Sequence, residues 1–122
     1  MGKNKQARFD ENKILQNVFQ PTKAEALEHY ELKEKWNKEV FKNENPFVLE
    51  LGCGKGEYSV GLAQAFPEKN FIGIDIKGAR FWFGAKEAIE KGLDNVAFLR
   101  TQIELIDYFF AENEVDEIWI TF

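Results

Sequence analysis

Between residues 47 and 122, short apolar runs rich in β-branched and aromatic side chains alternate with helix-forming stretches. That alternation restricts the fold more than any other feature of the chain. Residues 47–51, 71–76, 95–100 and 115–122 read as strands. Residues 57–66, stopped by Pro67, residues 77–91, followed by Gly92 at the C′ position, and residues 103–110 read as helices. Strands separated by helices cannot pair as tight hairpins, so they must lie parallel, joined by right-handed crossovers. The predicted class is α/β with about four parallel strands and flanking helices. Such a count is about half of a doubly wound sheet, so the expectation is an N-terminal half.

The residues before that core divide in two. Residues 1–22 are polar, lack periodicity and end near Pro21, which predicts an irregular arm. Its first nine residues hold Lys3, Lys5 and Arg8 and no acid. A basic arm of this kind suits a phosphate partner as well as it suits a solvated tail. Residues 23–122 form the domain proper. Within it, residues 23–42 are helix-friendly, with Thr22 as N-cap and Leu27, Leu32, Trp36 and Val40 on one face. Asn45-Pro46 then breaks the chain.

The 122 residues, 44% of them hydrophobic, suffice for one domain. No run is long enough to span a membrane, and the first twenty residues lack the apolar segment of a secretory signal. One cysteine and one histidine exclude an internal disulfide and leave no thiolate cluster for a metal. A reduced, cytoplasmic protein is expected. The net charge of −5 excludes a surface that is basic throughout.

Residues 48–58, VLELGCGKGEY, join the first long strand to the next helix. Gly52, Gly54 and Gly56 let the backbone approach a ligand that side chains would obstruct. The spacing is G-x-G-x-G: a dinucleotide fingerprint would need glycine where Glu57 stands, and no G-K-[ST] closes a phosphate loop. Glu50 sits before the turn and Asp75 ends the next strand. A carboxylate at Asp75 suits the two hydroxyls of a ribose. Glu50 would repel a pyrophosphate but attract an ammonium or sulfonium. Adenosine with a cationic tail, S-adenosylmethionine, satisfies both. The alternative is structural: Glu50 pairs with Lys55, and Asp75 caps the following helix.

The blocks "LELGCGKGEY", "NFIGIDIKGAR", "NVAFLR" and "VDEIWITF" resemble, in order and spacing, those of the bacterial tRNA (guanine-N7)-methyltransferases. "MGKNKQARF" is similar to the arm of that family. The resemblance implies a Rossmann-like methyltransferase fold with strand order 3-2-1-4, counting from residues 47–51. It implies methyl transfer from S-adenosylmethionine to N7 of guanosine-46 in the tRNA variable loop. It places Glu50, Gly52, Gly54, Gly56, Asp75 and Gln102 at the cofactor, and Lys77 and Arg80 on the substrate side. Gln102 stands where the family has an acid. The family's aspartate at the reacting centre falls beyond Phe122, so no catalytic residue is assigned, and the chain by itself is expected to be inactive. An apolar strand at 115–122, left at an edge, would invite self-association. Two other readings stay open: a methyltransferase of small molecules, for which a basic arm is needless, and a noncatalytic module that binds the cofactor.

Guanine N7 offers a lone pair, so methylation there needs positioning and nearby negative charge rather than a base. Cys53, between two glycines, fits a residue tolerated by a tight loop better than a nucleophile. Phe81, Trp82 and Phe83 lie consecutively on a helix and cannot all point one way. Core packing is expected for Phe83, and Trp82 fits either the core or stacking on a base. His29 reads as a surface residue and the acids around Glu112 as a solvated turn.

Overall fold

A computed structural model describes residues 4–121, so Lys3 and Phe122 lie outside the described residues. Five strands form one parallel sheet: β1 (Val18–Phe19), β2 (Phe47–Leu51), β3 (Asn70–Asp75), β4 (Val96–Arg100) and β5 (Glu117–Ile120). Their order is β1-β4-β3-β2-β5. The expected order of the four longer strands holds, and β1 adds an outer strand beside β4. Two residues are too few to show a periodicity, so β1 is unreadable from sequence.

Strand alternation sorts the core into two layers. Phe47, Leu49, Leu51, Ile72, Ile74, Ala97 and Leu99 face one layer with Trp36, Phe109 and Phe110. Val48, Phe71, Val96 and Phe98 face the other, where Val60 and Ala63 of α3 (Glu57–Ala65) and Phe81, Ala85 and Ala88 of α4 (Gly78–Glu90) cover them. Glu50 points into this second layer with Val48. The helix expected over residues 103–110 is a 3-10 turn (Ile103–Leu105) running into α5 (Ile106–Phe109). It packs on the first layer.

Two expectations need correction. The N-terminal segment is not irregular: α1 (Lys5–Glu11) forms, with Asn4 accepting from the Ala7 amide at its N-cap. Its packing on α4 supplies what its polar sequence does not. Asn12, buried after the helix, donates to the Gly78 carbonyl at 2.8 Å. Glu11 accepts from Trp82 Nε1 at 2.6 Å and pairs with Lys86 at 3.3 Å.

The helix expected over residues 23–42 is broken. Thr22 does cap α2 (Lys23–Leu27), with Glu25 completing a capping box. The chain then turns and resumes as a π-helical stretch, Trp36–Phe41. The Glu114 carboxylate holds the break by accepting from the Glu34 amide at 2.9 Å and the Trp36 amide at 3.3 Å. Tyr30 and Trp36 would lie about 120° apart on one helix. The break brings both into one cluster, their rings 6.1 Å apart, and leaves Leu27 exposed.

Candidate functional site

The site lies at the carboxyl ends of the strands. From β2 the chain steps to β3 and β4 on one side, whereas β5 lies on the other side of β2. The crevice between β2 and β5 is therefore the topological switch point, where open α/β sheets hold their ligands. Glu50 sits there, in register with Gly73 on one side and Trp119 on the other.

The loop after β2 is held from two sides. The amides of Gly52 and Cys53 both donate to the Ile74 carbonyl, at 2.8 and 2.9 Å, which ties the loop to the end of β3. The Gly54 amide donates to Asp75 Oδ2 at 3.0 Å, and the Lys77 amide to Asp75 Oδ1 at 2.9 Å. Gly52, Gly54 and Gly56 all have positive φ, 74°, 56° and 82°. Gly56 also carries the closest packing: a Cβ there would lie 2.7 Å from the Phe98 ring and 3.2 Å from Gly84 Cα. Gly84 returns the contact by donating to the Lys55 carbonyl at 2.8 Å. The loop thus rests on α4 where neither chain has a side chain.

Glu50 is 4% exposed. Its carboxylate accepts from the Ser59 hydroxyl on one oxygen and from the Thr121 hydroxyl, at 2.6 Å, on the other. Lys55 does not reach it and instead stands 5.6 Å above the Phe83 ring. Among the described residues no lysine or arginine forms an ion pair with Glu50 or Asp75. Neither half of the structural alternative is found as expected: Asp75 holds the turn before α4 through the Lys77 amide without capping the helix, and a Glu50–Lys55 pair does not form among the described residues. Ser59 and Thr121 went unseen in the sequence, since a hydroxyl nine or seventy-one residues from a carboxylate leaves no pattern.

A cleft of about 450 Å³ opens above these groups, walled by Glu50, Gly52, Gly54, Tyr58, Asp75 and Arg80. Gly56 lies beneath the loop rather than on the wall. Gln102 lines a separate depression of about 130 Å³ with Thr22 and Leu105. Lys77 lines a third cleft, toward α1. Of the residues singled out for a cofactor, the structure gathers Glu50, Gly52, Gly54 and Asp75 around one space and sets Gln102 apart.

Burial pushes the Cys53 thiol well above its ordinary value of 9, and the nearby charges of Glu50 and Asp75 push in the same direction. The proton stays on sulfur, and a thiol is a poor nucleophile. Burial, helped by Glu25 and Glu31, likewise pushes Tyr30 from 10 up to about 12. In both cases the folded chain keeps a proton that the unfolded chain loses, so these groups make stability fall as pH rises above 9. Urea denaturation should give a constant midpoint from these two groups below that pH and a declining one above it. Native Cys53 should react with iodoacetamide at pH 8 at least about tenfold more slowly than in the unfolded chain. Equal rates in the two states would contradict the buried, protonated thiol.

The aromatic run on α4 divides as its helical directions require. Phe81 is fully buried and stacks on Phe98, centroids 5.5 Å apart. Phe83, expected in the core, is 38% exposed instead, with the Arg8 guanidinium 4.7 Å from its ring centre. Two helical residues apart is about 200° around the axis, so only one of the pair can face the sheet. Trp82 is held by Glu11. His29 is exposed, two residues after α2, and residues 112–114 form a turn.

Comparison with known proteins agrees with this geometry. A family model described as "Putative methyltransferase" matches residues 44–122. The tRNA (guanine-N(7)-)-methyltransferase of Christiangramia forsetii is 67% identical over 98% of this chain and 54% of its own length. The protein of the same name from Bacteroides fragilis is 58% identical over 100% of this chain and 49% of its own. The chain thus spans about half the length of the curated relatives it matches. A solved structure titled "Structure of an antibiotic related Methyltransferase" superposes with a TM-score of 0.64 at 27% identity, over 75% of this chain and 48% of that one. On the match that runs from the end of the Trp36–Phe41 stretch through β5, the chain belongs to this methyltransferase family.

Proposed function

We propose that the chain forms the cofactor-binding part of an S-adenosylmethionine-dependent enzyme that methylates N7 of guanine in tRNA, at guanosine-46 of the variable loop. The observation that carries this reading is the pair of carboxylates, Glu50 and Asp75, flanking a glycine loop at the switch point with no cation paired to either among the described residues. The names of the relatives from C. forsetii and B. fragilis support the substrate.

The residues fit the cofactor. Glycine at position 54 leaves the loop side of the cleft bare, where a Cβ would already meet the Arg80 guanidinium at 3.3 Å. Asp75 has one amide on each oxygen, and a carboxylate accepts about four hydrogen bonds, so it retains capacity for ribose hydroxyls. Glu50 holds a negative charge beneath the cleft, fixed by Ser59 and Thr121, and favours an ammonium or sulfonium above it. When bound, the cofactor supplies an electrophilic methyl group. The chain's own part is to bind, orient and keep negative charge near a ring that becomes cationic; no described residue is assigned as a base.

Calorimetry with S-adenosylhomocysteine tests the pocket. Asp75→Ala should weaken binding by about 1–3 kcal/mol, the range for a hydrogen bond to a charged group. Asp75→Asn, which keeps an acceptor for the Gly54 amide, should keep the loop and still lose affinity. Wild-type affinity in both variants would remove Asp75 from the site. The full-length enzyme should label transcripts with guanosine in the variable loop and not those with adenosine there.

A cytoplasmic setting, with tRNA as partner, follows from the same reading. No described helix is long and apolar enough to cross a membrane. Self-association through β5 belongs here as well. Ile118, Trp119 and Ile120 are 50%, 40% and 65% exposed on a strand whose one neighbour among the described residues is β2. Light scattering on the 122-residue chain should show mass rising with concentration, and a constant monomer mass would refute this contact.

A further inference from the structure

The geometry points to a second site, a cationic cleft that we propose holds the phosphodiester backbone of an RNA substrate. It has a volume of about 460 Å³ and lies between α1 and the turn from β3 into α4. Its lining includes Lys5, Phe9, Lys77, Gly78, Arg80 and Arg100 and, among the described residues, no carboxylate. In a chain of net charge −5, four cations around one space with no acid on its walls is a local reversal of sign. None of the four forms an ion pair among the described residues.

Arg100 is the informative member. It stands in register with Asp75 on the neighbouring strand, the natural partner for its charge. Asp75 instead turns its oxygens to the amides of Gly54 and Lys77. The Arg100 guanidinium lies 5.2 Å from the Phe9 ring centre, and its buried Nε has no hydrogen-bond partner among the described residues. A partly buried guanidinium without an anion is a site awaiting one. The thirteen-residue α4 adds its N-terminus, with no acid in its first turn and no side-chain cap. The amides there favour an anion.

Arg80 walls both this cleft and the acidic one, so the lining changes sign across a single residue. An adenosine with a cationic tail suits the acidic side; a polyanion suits the other. Cations from α1, α4, its preceding turn and β4 exceed what one inorganic phosphate engages, and a chain of phosphates can use them all. Lys77 and Arg80 thereby join Lys5 and Arg100 in one site, and α1 acts as a folded wall of it rather than a loose arm. The RNA class rests on the methyltransferase reading above.

Fluorescence anisotropy of a labelled tRNA transcript, titrated with the full 122-residue chain across a salt series, tests it. Arg100→Gln and Lys77→Gln should each weaken binding about tenfold at low salt and reduce the log–log salt slope by about 0.7–0.9. Lys69→Gln, at the opposite end of the sheet, should match wild type. Absence of RNA binding, or slopes for both cleft variants equal to wild type, would overturn the proposal. So would displacement of the transcript by inorganic phosphate beyond the effect of chloride at equal ionic strength, which would make this a free-anion site. S-adenosylhomocysteine titrations of the same proteins judge the cofactor reading separately. Those affinities should not change, because neither Lys77 nor Arg100 lines the acidic cleft.

Discussion

Alanine at Gly56 should destabilise the fold by about 2–5 kcal/mol, from about 1–2 for a left-handed backbone and about 1–3 for overpacking. The position has φ 82°, and the added Cβ would lie 2.7 Å from the Phe98 ring with Gly84 Cα close behind it. Phe98 is itself fully buried and stacked on Phe81, so it cannot step aside. Such a loss is a large share of the roughly 5–15 kcal/mol that holds a domain together. Gly92 supplies the control. Its φ is 67°, yet nothing lies within 4 Å of its would-be Cβ. Gly92→Ala should therefore lose only the backbone part, about 1–2 kcal/mol. Urea midpoints for the two variants separate strain from crowding. Equal losses would mean that the loop and α4 move apart freely at Gly56. The same separation should weaken S-adenosylhomocysteine binding, since the loop forms one wall of the cleft.

What was legible in the sequence follows from how local each cause is. β2, β3 and β4 are short runs of apolar residues bounded by Pro46, the glycine loop and Gly92, and local pattern suffices for them. The site was legible in part because Glu50 breaks such a run: a carboxylate in a buried strand requires a reason. Its reason is nonlocal. Ser59 comes from α3, and Thr121 follows β5. The broken helix has the same explanation. Residues 23–42 are good helix formers, and nothing among them announces that Glu114 will hold the Trp36 amide. For α1 the missing signal was packing: its polar residues find Gly78, Trp82 and Lys86 only after α4 is in place. Phe83 is expected in the core, yet Phe81 takes that place, because periodicity gives a helix's faces without saying which one is covered.

Trp36→Ala should produce the other large loss, about 3–5 kcal/mol, the range for truncating a fully buried aromatic residue. Trp36 is 0% exposed, stacks on Phe110 at 5.4 Å and meets Phe19 edge-on at 5.2 Å. Its Nε1 donates to the Phe109 carbonyl at 2.8 Å, so the indole joins the interrupted helix to α5. Trp36→Phe keeps most of the apolar contact and loses the hydrogen bond, which should cost about 1–2 kcal/mol through the Phe109 carbonyl left behind. The ordering of the two variants in urea, Ala well below Phe, reads packing against hydrogen bonding. The affinity for S-adenosylhomocysteine reads something else. Trp36 belongs to the layer on one face of the sheet, whereas Glu50 and the helix that follows the glycine loop belong to the other. Sites separated by a packed sheet and sharing no partner act almost independently. Once corrected for the unfolded fraction, the Trp36→Phe protein should bind the cofactor analogue as tightly as wild type. A loss of several-fold would mean that the first layer positions the loop, through β2 and β3, which this geometry does not require.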